Sequence, residues 1–270
     1  MSYDAARHRL VFIGGLHRSG TTLLGLLLAE HPLVSGFSNT GVPADEGQHL
    51  QSVYPTAKVY GGPGRFGFAD AAHLTEDSEL VSPANARRIL AEWAPYWDLE
   101  RLVLVEKSPP NLIRARFLQA LFPEASFVMI VRHPVAVSLA TKKWSKTSLS
   151  SLLRHWLVSH ETFEADRPQL RRVLVVTYED LAGRPQECLA AVYTFLGLGP
   201  HAATLEVRAD GNARYFADWR ARRLRATLLR RRFENRLDGF GYSLRDLDRT
   251  PQAQSWSGSA ATAGSIGPRP

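Results

Sequence analysis

The chain has 270 residues, 44% of them hydrophobic, enough to bury one substantial core, and its single cysteine, Cys188, excludes an intramolecular disulfide and argues against a cysteine-based metal cluster. A formal charge of +7 suits an anionic ligand without choosing among a nucleotide, a nucleic acid and a membrane surface. Met1 to Arg9 lacks the parts of a secretory signal, and the longest apolar run, Leu23 to Ala29, falls far short of the roughly 20 residues that cross a bilayer, so a soluble cytoplasmic protein without a membrane span is expected.

Leu10 to Gly14 reads as a buried strand and Thr21 to Glu30 as the helix after it. Between them stands Gly14-Gly15-Leu16-His17-Arg18-Ser19-Gly20-Thr21-Thr22, a turn whose backbone N–H groups, at a helix N-terminus, point at an anion. Gly15 and Gly20 match the phosphate-loop pattern GxxxxGK[ST], but Thr21 stands in the lysine position. A loop that keeps its glycines and hydroxyls and moves its cation to Arg18 suits a metal-free nucleotide with a single 5′-phosphate arm. From Gly36 to Pro83 there is no clean period and much Gly and Pro, which marks functional loops that build the acceptor site. Within it, Gly61 to Phe68 is expected to form a flexible, partly aromatic lip.

Leu102 to Val105 is the second strand, followed by Glu106-Lys107-Ser108-Pro109-Pro110, where two prolines stiffen the turn and fix Lys107 at the ligand edge, and then by a helix over Asn111 to Leu121. The third strand, Ser126 to Val131, ends in Arg132, at the carboxyl end where open α/β sheets bind ligands, before a helix from Val135 to Trp144. The fourth, Val173 to Thr177, closes on Tyr178, whose ring either meets a nucleotide base or belongs to the core, and Pro185 to Phe195 is the next helix. Apolar runs alternating with helices give a doubly wound α/β fold, a parallel sheet with helices on both faces. One domain is expected over 1–249, with a disordered tail over 250–270. Arg208 to Arg236 spreads arginines around a helix with leucines between them, a solvated face that attracts an anionic nucleotide; the alternative is a nucleic-acid-binding protein. His17 and His133 lack the paired spacing of a metal site, and no metal is expected.

From about Arg9 to about Leu198 these segments resemble, in order, the sulfotransferases that use 3′-phosphoadenosine 5′-phosphosulfate (PAPS), with motifs of the tyrosylprotein and carbohydrate kind. The resemblance implies a phosphate-loop core like that of the nucleoside-triphosphate hydrolases. It also implies transfer of a sulfuryl group to an acceptor hydroxyl or amine, with release of adenosine 3′,5′-bisphosphate. It assigns the 5′-phosphosulfate to Arg18, Ser19, Gly20, Thr21 and Thr22 with His17 beside them, the 3′-phosphate to Arg132 and Ser138, and the adenine to Tyr178. The usual spacing from the arginine lands on Ala140, so Thr141 stays open beside Ser138. Lys107 joins Arg18 in stabilising the leaving group, while Pro109 stands where cytosolic members carry a histidine base. The resemblance therefore points to Glu46 as the base, with Asp45 and His49 as rivals; direct counting lands on Asn39, so Glu46 assumes a local insertion. The expected partners are the nucleotide donor and a small-molecule, sugar or lipid acceptor, with no nucleic acid and a homo-oligomer left open. The rival enzyme is a phosphate-loop nucleoside or small-molecule kinase, which the missing lysine and the lack of an evident magnesium-holding Asp disfavour.

Overall fold

The computed structural model describes residues 3–251; residues 252–270, most of the tail expected to be disordered, lie outside the described residues. Among the described residues, β1 (Arg9–Gly15), β2 (Val34–Gly36), β3 (Val103–Lys107), β4 (Ser126–Val131) and β5 (Val173–Thr177) form one parallel sheet in the order β2-β3-β1-β4-β5. The four apolar runs of the sequence are four of these strands. β2, three residues at the sheet edge, is too short to carry a periodic signal.

Alternation along the strands sorts the core into two layers. Phe12, Leu104, Phe127, Met129 and Val131 face one way, with α2 (Pro83–Trp93), α3 (Ala115–Leu121), α4 (Pro134–Lys142), α5 (Leu149–Asp166), α8 (Ala213–Ala221) and α9 (Arg223–Asp238) contributing to that layer. Val11, Ile13, Val103, Val105, Val128 and Ile130 face the other way, against α1 (Thr21–Ala29), α6 (Tyr178–Gly183) and α7 (Pro185–Leu196). Cys188 lies buried and unpaired on α7. Around Phe12 the rings of Trp93, Phe122 and Phe127 stand 6.0, 5.7 and 5.6 Å away, an aromatic knot under the sheet.

Two expectations need correction. Tyr178 does not close β5: the Thr177 hydroxyl accepts from the Asp180 amide at 3.0 Å, an N-cap that starts α6 at Tyr178. Gly61 to Phe68 is no loose lip, because Phe66 is wholly buried with its ring edge-on to His155 at 4.9 Å, and a Cβ on Gly64 would strike Leu152. The long amphipathic α5 supplies the surface that pins it.

The register carries the strand tips to one edge. Gly15 pairs with Ile130, Ile13 with Lys107, and Val131 with Thr177, so the glycine-rich turn, Lys107, Arg132 and Tyr178 all emerge side by side. β1 sits between β3 and β4, the point where the chain changes sides and where doubly wound sheets open a crevice. Phe12→Ala should lower unfolding free energy by about 3–5 kcal/mol, checked by denaturant titration, since it empties the centre of the aromatic knot.

Candidate functional site

The turn after β1 leaves the first amides of α1 without side-chain partners. Gly20 takes φ 108 at the N-cap of α1 and has no side chain to cap the first-turn amides, which therefore point outward. A side chain at Gly15 would lie 2.5 Å from the Ile130 carbonyl, and one at Gly20 would lie 2.8 Å from the Tyr178 ring. Ser19 is buried and its Oγ has no protein partner. Thr21 is buried and Thr22 exposed at the start of the helix. Arg18 is held in the left-handed region at φ 72, with its guanidinium over the exposed Trp144 ring at 4.6 Å. The other described non-glycine residues with positive φ are Asn39, Ala44 and Asp45. Asp45 and Ala44 lie beside Lys107, so backbone strain gathers at this edge of the sheet.

Lys107 and Glu46 meet there. Their charged atoms stand 3.9 Å apart and each residue is only 7% exposed. Lys107 Nζ also donates to the Ala44 carbonyl at 2.5 Å, and Gln48 Nε2 donates to Glu46 Oε2 at 2.5 Å. Burial raises the Glu46 pKa, with Lys107 and Gln48 pulling against it; burial lowers that of Lys107, with Glu46 opposing. His49 Nε2 lies 3.8 Å from the same carboxylate, its pKa lowered first by burial and then by Lys107. Asp45 differs: burial would raise its pKa, but the Thr40 hydroxyl and amide, at 2.6 and 2.8 Å, hold it below the ordinary value. That carboxylate is committed to shaping its own turn.

Behind the pair lies a buried relay that the sequence reading did not identify. Glu106, wholly buried, accepts from Ser108 Oγ at 2.5 Å and from Asn111 Nδ2 at 2.6 Å, and Ser108 Oγ accepts from the Gln48 amide at 3.0 Å. Asn111 Nδ2 also donates to the Ile13 carbonyl, so the relay ties β1, β3 and the Glu46 turn together. Gly47 is obligatory in this turn, because a Cβ would lie 2.4 Å from Glu106. Burial lifts the Glu106 pKa to about 7 against its hydrogen bonds from Ser108 and Asn111. A Glu in an otherwise aliphatic strand is the signal that could have exposed it.

A cleft of about 290 Å³ opens beside the pair, between α1 and edge strand β2; Thr22, Gly25, Gly36, Asp45, Tyr96 and Lys107 are among its walls. The front of the earlier loop region, Gly36 to Asp45, thus contributes to it.

At the neighbouring strand tip, Arg132 Nη1 donates to the Arg18 carbonyl at 2.9 Å, Nη2 to the Gly211 carbonyl at 2.8 Å, and Nε to Asn212 Oδ1 at 2.8 Å. Its guanidinium lies 3.8 Å from the Tyr178 ring centroid. Gly211 fits only without a side chain, since a Cβ would lie 2.0 Å from the Tyr178 hydroxyl. Asn212 also donates to Glu179, which takes the His133 amide and the Tyr242 hydroxyl as well. Gly211 and Asn212 therefore form a strap across Arg132 and Tyr178. His17 and Ser138 come together elsewhere, around a small cavity shared with Thr141 and His155, where His17 Nδ1 and Ser138 Oγ have no protein partner. Burial, then Lys107, pushes the His17 pKa down to about 3. Neither Ser138 nor Thr141 hydrogen-bonds to Arg132 among the described residues. His133 caps α4 through its Nδ1 and reaches the Ser243 carbonyl through Nε2. No group of three or more metal-ligating side chains converges among the described residues.

The model of the sulfotransferase family matches residues 11–201. The chain is 28% identical over 199 residues to protein-tyrosine sulfotransferase 2 of Gallus gallus, covering 70% of this chain and 51% of that protein. To the nodulation protein NoeE of Sinorhizobium fredii (strain NBRC 101917 / NGR234) it is 26% identical over 242 residues, covering 74% and 53%. The chain spans about half the length of the curated relatives it matches. Among solved structures, a sulfotransferase from Mycobacterium tuberculosis H37Rv aligns at 20% identity and a TM-score of 0.49, covering 73% of this chain and 69% of that one.

The raised Glu106 pKa has a thermodynamic signature. The unfolded chain releases this proton near 4.5 and the folded one near 7, so the folded state binds more protons between those values and loses stability as pH rises through them. Glu106→Gln removes that slope: its melting temperature relative to the native protein should climb from pH 4.5 to 7 and then level off. A constant difference across this window would contradict the assignment.

Proposed function

The chain belongs to the sulfotransferase family, and we propose that it transfers a sulfuryl group from PAPS to the hydroxyl or amine of an acceptor bound in the cleft beside β2. The observation that carries this reading is the meeting of Lys107 and the first turn of α1 at that cleft, with Glu46 paired to Lys107 and the glycine-rich turn joined to Arg132 at the neighbouring strand tip. The residues suit a donor of this chemistry. Ser19 offers a buried hydroxyl without a protein partner, the Gly15 and Gly20 positions admit no side chain, and the first-turn amides of α1 face outward.

PAPS, when bound, supplies a sulfuryl group activated by its phosphate leaving group. The α1 amides with Arg18, Ser19, Thr21 and Thr22 would hold the 5′ end, and Arg132 would hold the 3′-phosphate in exchange for its strap carbonyls. Tyr178 would pack beside the base. Lys107, half of the buried pair at the cleft wall, would offset the negative charge that grows on the leaving oxygen. Glu46 takes the acceptor proton. Its raised pKa makes it a better base than an exposed carboxylate, and Gln48 holds the carboxylate in place. Asp45, held ionised by Thr40, is the weaker rival.

The test follows radiolabelled sulfate from PAPS to a panel of tyrosine peptides, sugars, phenols and hydroxylated lipids. The native protein should label at least one acceptor class. Glu46→Gln should slow that transfer by about 10²–10⁴-fold while leaving adenosine 3′,5′-bisphosphate affinity within about twofold, and Asp45→Asn should keep most of the rate. Near-native turnover in Glu46→Gln would remove Glu46 as the base.

A further inference from the structure

The arginine-rich α9 is only partly explained by the core. Ala226, Leu229, Phe233 and Leu237 bury one face, as an amphipathic helix should. The opposite face is unusual. Leu224 is 86% and Leu228 66% exposed, one helical turn apart. Helical spacing sets Arg231 in line with them, Arg225 and Arg232 on one flank and Arg223 on the other. Arg223, Arg225 and Arg231 make no ion pair among the described residues.

The carboxylates nearby are already engaged. Glu234 accepts from Ser243 Oγ and the Leu244 amide, Asp238 pairs with Arg249, Asp218 with Arg222, and Glu161 with Arg236. The first turn of α9 has no acidic residue and no capping side chain, so Arg223 and Arg225 sit at the positive end of the helix dipole. That placement is unfavourable for an isolated helix and favourable against a negatively charged surface.

We propose that this outward face of α9 docks on an anionic lipid bilayer, with Leu224 and Leu228 entering the headgroup–acyl boundary and the surrounding arginines meeting lipid phosphates. Two features select a bilayer over other anions. The leucines project as knobs, which a fluid interface accepts without a matching pocket, and long arginine side chains can lie along the acyl boundary while their guanidinium groups reach the headgroups. A nucleic acid gives no role to the leucines and is usually met by interleaved aromatics, which this face lacks. The chain's own residues 252–270 contain no Asp or Glu and so do not complement the patch. The proposal is independent of the catalytic reading.

Vesicle co-sedimentation of the full chain tests it, with phosphatidylcholine alone and with about 30% phosphatidylserine, at about 0.1 M and 0.5 M salt. The native protein should bind the anionic vesicles only, and severalfold less at high salt. Leu224→Ser with Leu228→Ser, which keeps the charge and touches no core residue, should cut partitioning about tenfold. Arg225→Glu with Arg231→Glu should abolish it. Circular dichroism confirms that both variants remain folded. Absence of binding to anionic vesicles at low salt, or equal binding to neutral ones, would overturn the proposal. So would a leucine variant that binds as well as the native protein, with RNA displacing the vesicles; that result would make the face a polyanion site.

Discussion

One hydrogen bond sets the scale of the site: Arg132 Nη1 to the Arg18 carbonyl, 2.9 Å, across the tips of two adjacent parallel strands. It brings a buried guanidinium just past β4 to the back of the glycine-rich turn that follows β1. In the proposed reading these two cationic positions serve the two ends of one nucleotide. Arg132 is buried, and burial lowers its pKa against the opposing influence of Tyr178 and Glu179, so its charge must be satisfied by close partners. The strap carbonyl and amide of Gly211 and Asn212 supply them in this structure. A phosphate can replace neutral carbonyls there and form stronger, charge-assisted bonds.

The other half of the site depends on holding opposite charges in a dry place. Removing Lys107 and Glu46 from water costs energy that their mutual attraction recovers only with further hydrogen bonds. The Ala44 carbonyl and Gln48 amide provide those, and the Glu106–Ser108 relay fixes the turn that carries them. The strained backbone at Ala44 and Asp45 is the local cost of bending the chain over the lysine. Two elements distant in sequence thus meet with little freedom left, which is what proton transfer at a defined position requires.

Much of the framework was legible because strand tips announce themselves. Arg132 and Lys107 follow continuous apolar runs, and a charge at such a point marks the ligand edge of a parallel sheet. The glycine-rich turn was legible from spacing alone. The rest depended on long-range packing that no local pattern encodes. Glu106 looked like one more polar residue before a turn, yet the fold closes Gly47 over it. Nothing in Gly61 to Phe68 revealed that α5 would bury Phe66, and nothing beside Trp144 revealed that Arg18 would stack on it. Ser138 and His17, which only the family resemblance joined to the nucleotide, lie around a small cavity shared with Thr141 and His155.

The proposed site requires one nucleotide to touch both cationic positions, and calorimetric titration of native and Arg132→Ala protein with adenosine 3′,5′-bisphosphate and with 5′-AMP measures that directly. The bisphosphate should bind the native protein at least about tenfold more tightly, the worth of a charge-assisted phosphate contact, and the substitution should erase that margin while leaving 5′-AMP nearly unchanged. Equal weakening of both ligands would show that Arg132 serves the strap and not the 3′-phosphate, and the two-ended nucleotide site would have to be abandoned.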